Sequence, residues 1–219
     1  MNDCPALLKI IFSFLCAFFA LFASGCSDSE LKLSSVEGIV VFDFEDETSA
    51  PDARLSVFAE TESDAHRVEK ITVSSRSTQF EWTAFEPVII ANEKKQWAGY
   101  TDFVCPAFRK IPAGLYRLVY TDGEGREVES SFSIVYPEKI AAASTADIKN
   151  VLDGEFFEQV AVFDETDALL YYGLKKESWA EDKKLFSANK GASYYRTCLV
   201  VKNATAVCIL PAVYKDQRS

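Results

Sequence analysis

A single histidine in 219 residues removes most nucleophilic enzyme chemistry at the outset. His66 stands in the polar run 62–67 with no serine or cysteine motif beside it, so a nucleophile activated by an imidazole base has no candidate. There is no Gly-rich phosphate loop, no His or Cys spacing of a metal site and no Ser-His-Asp set, and no cofactor is implied. Cations are scarce as well: 23 Lys and Arg against 33 Asp and Glu leave a formal charge of −10. Phosphate binding needs clustered Lys and Arg, so nucleic acid is not an expected partner, and anionic headgroups should repel the body of the chain. A long apolar run is also missing. The longest, residues 10–23 broken only by Ser13, falls short of the ~20 residues that span a bilayer as a helix.

That short run has the proportions of a signal-peptide core. It ends in Leu21-Phe22-Ala23-Ser24-Gly25-Cys26, which sets small residues at the three positions before a cysteine, and is followed by the polar Ser27, Asp28 and Ser29. The junction resembles the lipobox of bacterial lipoproteins, in the relaxed form met among spirochaetes, with Ala23 where Leu is usual. The resemblance implies that leader 1–25 is removed, that the Cys26 thiol is diacylated and that the new amine is acylated. It also implies an address: the bacterial envelope, lipid-anchored to the outer membrane on its periplasmic or surface face. A plain signal peptide cut near Gly25 and an uncleaved anchor are the competing readings of the same residues.

Beyond a polar tether at 26–36, the body has the means to fold. It is rich in large side chains, with 17 Phe, 9 Tyr and 3 Trp in the chain, enough to bury a core. Short β-branched and aromatic runs recur at 39–44, 55–60, 68–74, 79–85, 88–91, 97–105, 115–120 and 129–135. Several alternate apolar and polar residues, as in Tyr116-Arg117-Leu118-Val119-Tyr120, which is the pattern of antiparallel strands with one wet face. Two glycines in Tyr120-Thr121-Asp122-Gly123-Glu124-Gly125-Arg126 mark a tight hairpin. The stretch Pro112-Ala113-Gly114-Leu115-Tyr116 resembles the entry to the late strands of immunoglobulin-like and fibronectin-III-like modules. The expected fold is therefore mainly β, an antiparallel β-sandwich over 37–137.

After residue 137 the texture changes. A linker with a short helix is expected at 138–155, then a small α+β unit at 156–219 packed on the sandwich. It holds a hairpin around Asp164-Glu165-Thr166-Asp167, a helix opened by the capping box Ser178-Trp179-Ala180-Glu181, and a closing hairpin. That last hairpin, centred near Asn203, would place Cys198 and Cys208 face to face, so a disulfide is expected in an exported compartment. Cys105 is left without a companion.

For function, the sequence favours binding or envelope structure over catalysis. The aromatics Trp82, Trp97, Tyr100 and Trp179 are candidates for a ligand platform, with Trp97 and Tyr100 the most plausible to face a ligand; core packing is the competing use. One ring of each pair Tyr171-Tyr172 and Tyr194-Tyr195 should stay accessible. Acidic loops at 43–47, 122–124 and 164–167 offer oxygen ligands for calcium but match no known spacing. The expected partners are the membrane, through the lipid, and a protein or peptide. An accessory subunit of an envelope complex and a carboxylate-based hydrolase are the alternatives.

Overall fold

In the computed structural model, residues 30–92, 94–105 and 110–215 are described. The expected leader, Cys26 and the start of the expected tether lie outside them. The first eight strands are β1 (Leu33–Asp43), β2 (Asp52–Thr61), β3 (Val68–Ser75), β4 (Glu81–Ala84), β5 (Val88–Ala91), β6 (Gln96–Val104), β7 (Gly114–Asp122) and β8 (Glu127–Ile134). They form two antiparallel layers in the orders β1-β2-β6-β5 and β4-β3-β7-β8. Lettered A to G with C′ after C, these are the orders ABED and C′CFG of an immunoglobulin-like sandwich. At the start of β7 the Tyr116 hydroxyl donates to the Pro112 carbonyl four residues upstream at 2.7 Å, the tyrosine corner of such sandwiches.

Alternation decides which face is inside. Along β2, Ala53, Leu55, Val57 and Ala59 are buried against the other sheet, whereas Arg54, Ser56, Phe58 and Glu60 point outward. From the opposite layer Ile71, Val73, Tyr116, Leu118 and Tyr120 complete the core. The β7–β8 turn is locked by Asp122, which is fully buried. It accepts the backbone N–H groups of Glu124 (3.0 Å) and Arg126 (2.9 Å) and faces the Arg126 guanidinium at 2.8 Å. Burial pushes this carboxyl up, but those bonds and the Arg126 charge outweigh it and hold the pKa below the ordinary carboxylate range.

Residues 138–215 hold a short helix α1 (Ile148–Leu152), β9 (Phe156–Phe163), β10 (Leu169–Leu174), helix α2 (Asp182–Ala188), β11 (Tyr194–Val201), β12 (Ala206–Ile209) and β13 (Val213–Tyr214). Rather than building a sheet of their own, β9 to β13 extend the first layer past β1. Val40 to Asp43 pair in parallel with Ala206 to Ile209, giving the order β10-β9-β11-β12-β1-β2-β6-β5 with β13 on β11. The described residues from Lys32 onward thus form one compact unit. A second apolar cluster sits under α2, where Trp179, Leu185 and Phe186 cover Val160, Val162 and Tyr195. The capping box expected at Ser178 is not formed: residues Glu177–Trp179 make a 3-10 turn first, and the helix starts at Asp182 with Glu181 in the cap position.

The expected disulfide is absent. Cys198 is opposite Ile209 and Cys208 is opposite Leu199, because the turn is centred between Asn203 and Ala204 instead of on Asn203. A shift of one in register moves a side chain to the other face. The two thiols therefore project from opposite faces of the hairpin, both buried and free.

Candidate functional site

The outer face of the large sheet should be its wet side, yet it carries apolar side chains at regular intervals. Antiparallel pairing sets Phe58 opposite Glu37 on β1 and Gly99 on β6, sets Ile39 opposite Ser56, and sets Ile90 opposite Trp97. Ile39, Ser56, Phe58, Ile90 and Trp97 line a groove of about 700 Å³ that runs over β1, β2, β6 and β5. Its far wall is Phe132, together with Ser133 and the turn residues Ala204 and Thr205. Ile90 is 53% exposed, a large cost for a β-branched aliphatic side chain with nothing over it.

Two glycines near the groove let rings lie on the backbone: Gly99 under Phe58 on the outer face, and Gly38, opposite the buried Val57, under Phe132 on the inner face. A Cβ on Gly99 would stand 2.2 Å from the Val57 carbonyl oxygen and 2.5 Å from the Phe58 ring. On Gly38 it would stand 2.4 Å from the Phe132 ring. Close approach of another group, not unusual backbone torsion, fixes glycine at both positions. The rim is charged: Lys95 bonds Glu60 at 2.8 Å and lies 5.4 Å from the centre of the Trp97 ring, a cation–π distance. Apolar floor and polar rim are the usual anatomy of a contact site for another molecule.

Of the aromatics singled out in the sequence, Trp97 alone lines this groove. Tyr100 is opposite Val57, on the inward face of β6, with its ring 5.1 Å from Phe103. Trp82 donates its indole N–H to the Val104 carbonyl at 2.7 Å and stacks near Phe80 and Tyr116. Trp179 is buried beneath Lys176, whose ammonium lies 4.7 Å from its ring centre. The expected pair of ligand-facing rings is thus split by strand parity. The double tyrosines divide as alternation requires: Tyr171 packs on Trp179 and Tyr195 is buried, while Tyr172 is exposed and Tyr194 stacks on Phe163 at 4.9 Å.

The acidic loops satisfy themselves. Asp46 accepts the backbone N–H groups and the hydroxyls of Thr48 and Ser49. Asp164 does the same with Thr166 and the Ala168 N–H. Asp43, on the outer face, lies between Arg54 at 3.0 Å and Arg196 at 2.6 Å. Burial raises this carboxyl, but the two guanidinium groups outweigh it and hold the pKa below the ordinary value. Arg196 also donates to the carbonyls of Phe44 and Leu210, so it ties β11 to the end of β1 beside the parallel seam. Among the described residues, no three His, Cys, Asp or Glu side chains converge to hold a metal ion.

No protein-family model matches the chain, and no match was found among curated proteins. The groove residues Ile39, Phe58 and Ile90 escape a reading of the sequence because each belongs to a run that looks like ordinary strand. Only their parity against the buried residues of the same strand marks them as outward.

Proposed function

We propose that this chain is a lipid-anchored protein of a bacterial envelope that works by binding and not by catalysis, and that the groove beneath Ile90 and Trp97 receives an apolar segment of a partner protein. The groove carries the reading: an apolar floor on the solvent side of a sheet, where Gly99 lets the Phe58 ring lie on the backbone, with a charged rim to orient what enters. The anchor rests on the small-residue junction before Cys26. The strand order of an immunoglobulin-like sandwich is compatible with binding, though a fold does not itself assign a function. A tethered body of net negative charge stands off anionic lipid, which leaves its sheet faces available to proteins.

The test uses the tagged full chain, extracted from envelope membranes in mild detergent. Wild type should retain one stoichiometric protein. The pair of substitutions Phe58→Ser and Ile90→Asp should lose it, whereas Arg117→Ala, on the opposite sheet, should keep it. Retention of the same protein by the groove variant would place the contact elsewhere.

A further inference from the structure

The large sheet ends at β10, and this edge differs from the other three. Strand β4 opens with Glu81, β8 carries Glu127 and Glu129, and β5 is four residues long and follows Glu86-Pro87. Charges, proline and shortness are the devices by which sheet edges avoid pairing with other chains. Strand β10, Leu169-Leu170-Tyr171-Tyr172-Gly173-Leu174, has no charge and no proline and is six residues long; its one irregularity is a register shift between Leu169 and Tyr171. Its Leu169, Tyr172 and Leu174 are 57%, 55% and 61% exposed, and they continue onto the exposed Phe157 of β9. Strand β10 pairs only with its inner neighbour β9, so the backbone groups on its other side face outward.

The charges at the two ends of this strand are opposite. The turn before it holds Asp164, Glu165 and Asp167; Lys175 and Lys176 follow it directly. A two-fold axis perpendicular to the sheet sets two β10 strands side by side in opposite directions, as a self-complementary interface requires. Pairing centred on Tyr171 then brings Asp167 of each copy opposite Lys175 of the other. The same strand laid in parallel would bring like charges together at both ends. The charges this pairing uses are not wholly committed within the chain: Lys175 stands 3.8 Å from Glu158, a loose pair, and Lys176 lies over the rings of Tyr171 and Trp179. Asp167 accepts the Tyr194 hydroxyl at 2.8 Å and keeps its second oxygen for other donors.

We infer that β10 is a docking edge for a second copy of this chain, joined antiparallel, β10 to β10, into one continuous sheet. Six residues of edge pairing bury little area, so the dimer is weak and reversible in solution. Confinement of both copies to one membrane raises its occupancy. The inference does not rest on the groove or on its partner.

The experiment is sedimentation velocity on the full chain in detergent, with carbodiimide cross-linking of a mixture of ¹⁴N- and ¹⁵N-labelled copies. Wild type should show reversible doubling of protein mass, with mixed-label cross-links joining Glu165 or Asp167 to Lys175 or Lys176. The variant Lys175→Glu/Lys176→Glu and the variant Glu165→Lys/Asp167→Lys should each associate at least ~10-fold more weakly. Mixed together they should form a dimer again, which also shows that both are folded. The variant Tyr172→Lys/Leu174→Lys should remain monomeric. A wild type that stays monomeric at every concentration, a mixture of charge variants that fails to pair, or cross-links mapping elsewhere would each overturn the inference.

Discussion

Cys198 and Cys208 sit in the same hairpin on opposite faces, each across from an aliphatic residue of the neighbouring strand: Ile209 for Cys198 and Leu199 for Cys208. Burial pushes the Cys208 thiol up to about 12 and raises Cys198 as well, so neither supplies thiolate at neutral pH. The expected outcome is that residues 198 and 208 give no bridged peptide in non-reducing mass mapping. Both should resist alkylation in the native protein and react only after unfolding. Cys208→Ser, which puts a hydroxyl where no partner waits, should cost about 1–3 kcal/mol in urea unfolding.

The acid limb of stability should depend on Asp43 and Asp122. Both have a folded pKa below the unfolded value of about 3.9, so their contribution is fully present above that pH and is lost as pH falls through the folded pKa. Asp122→Ala should cost about 3 kcal/mol at neutral pH, since it removes the acceptor shared by the half-buried Arg126 guanidinium and the backbone N–H groups of Glu124 and Arg126. Asp43→Asn should cost less, on the order of 2 kcal/mol, because the pair is partly solvated. Unfolding followed from pH 7 down to about pH 3 checks this: each variant should lose less stability on acidification than wild type.

Gly99→Val should be disruptive out of proportion to its size. The added carbons would meet the Val57 carbonyl and the Phe58 ring, forcing β6 from β2 and the ring off the groove floor. A loss of about 1–3 kcal/mol in denaturant unfolding is expected, as for overpacking of a closed core. Substitution at Gly125, where a Cβ would meet nothing within 4 Å but φ is +76°, should instead act through backbone strain.

If Cys26 is the lipid carrier, Cys26→Ala should abolish fatty-acid labelling and release the body from the membrane fraction. Labelling that persists in the variant would contradict the lipobox reading. Membrane retention without labelling would point to an uncleaved leader.

The strands were legible where alternation was strong and both neighbours in the sheet were close in sequence. Residues 115–120 and the Asp122-Gly123-Glu124-Gly125 turn read directly, because local periodicity and turn chemistry determine them, whereas the Pro112–Tyr116 stretch is legible only through its resemblance to immunoglobulin-like modules. The parallel seam between β1 and β12 did not, since periodicity says which face of a strand is buried but not which distant strand lies beside it. The cysteine pairing failed on half a residue in the position of a turn. Expecting Trp97 and Tyr100 to face one ligand overlooks that a separation of three places them on opposite faces of any regular strand, a parity legible in the sequence. The groove itself depends on Phe132 and Thr205, which reach it from the second sheet and from the β11–β12 turn, a convergence that no single stretch of sequence carries.

The central claim, that the groove is where a partner enters, is tested most directly by photo-cross-linking in intact cells with a benzophenone side chain at position 90. The account predicts one discrete adduct from position 90, lost when Phe58 is changed to Asp. The same probe at position 129, on the edge strand β8 of the other sheet, should give none. An adduct from position 129 with none from position 90, or one from position 90 that survives Phe58→Asp, would contradict it.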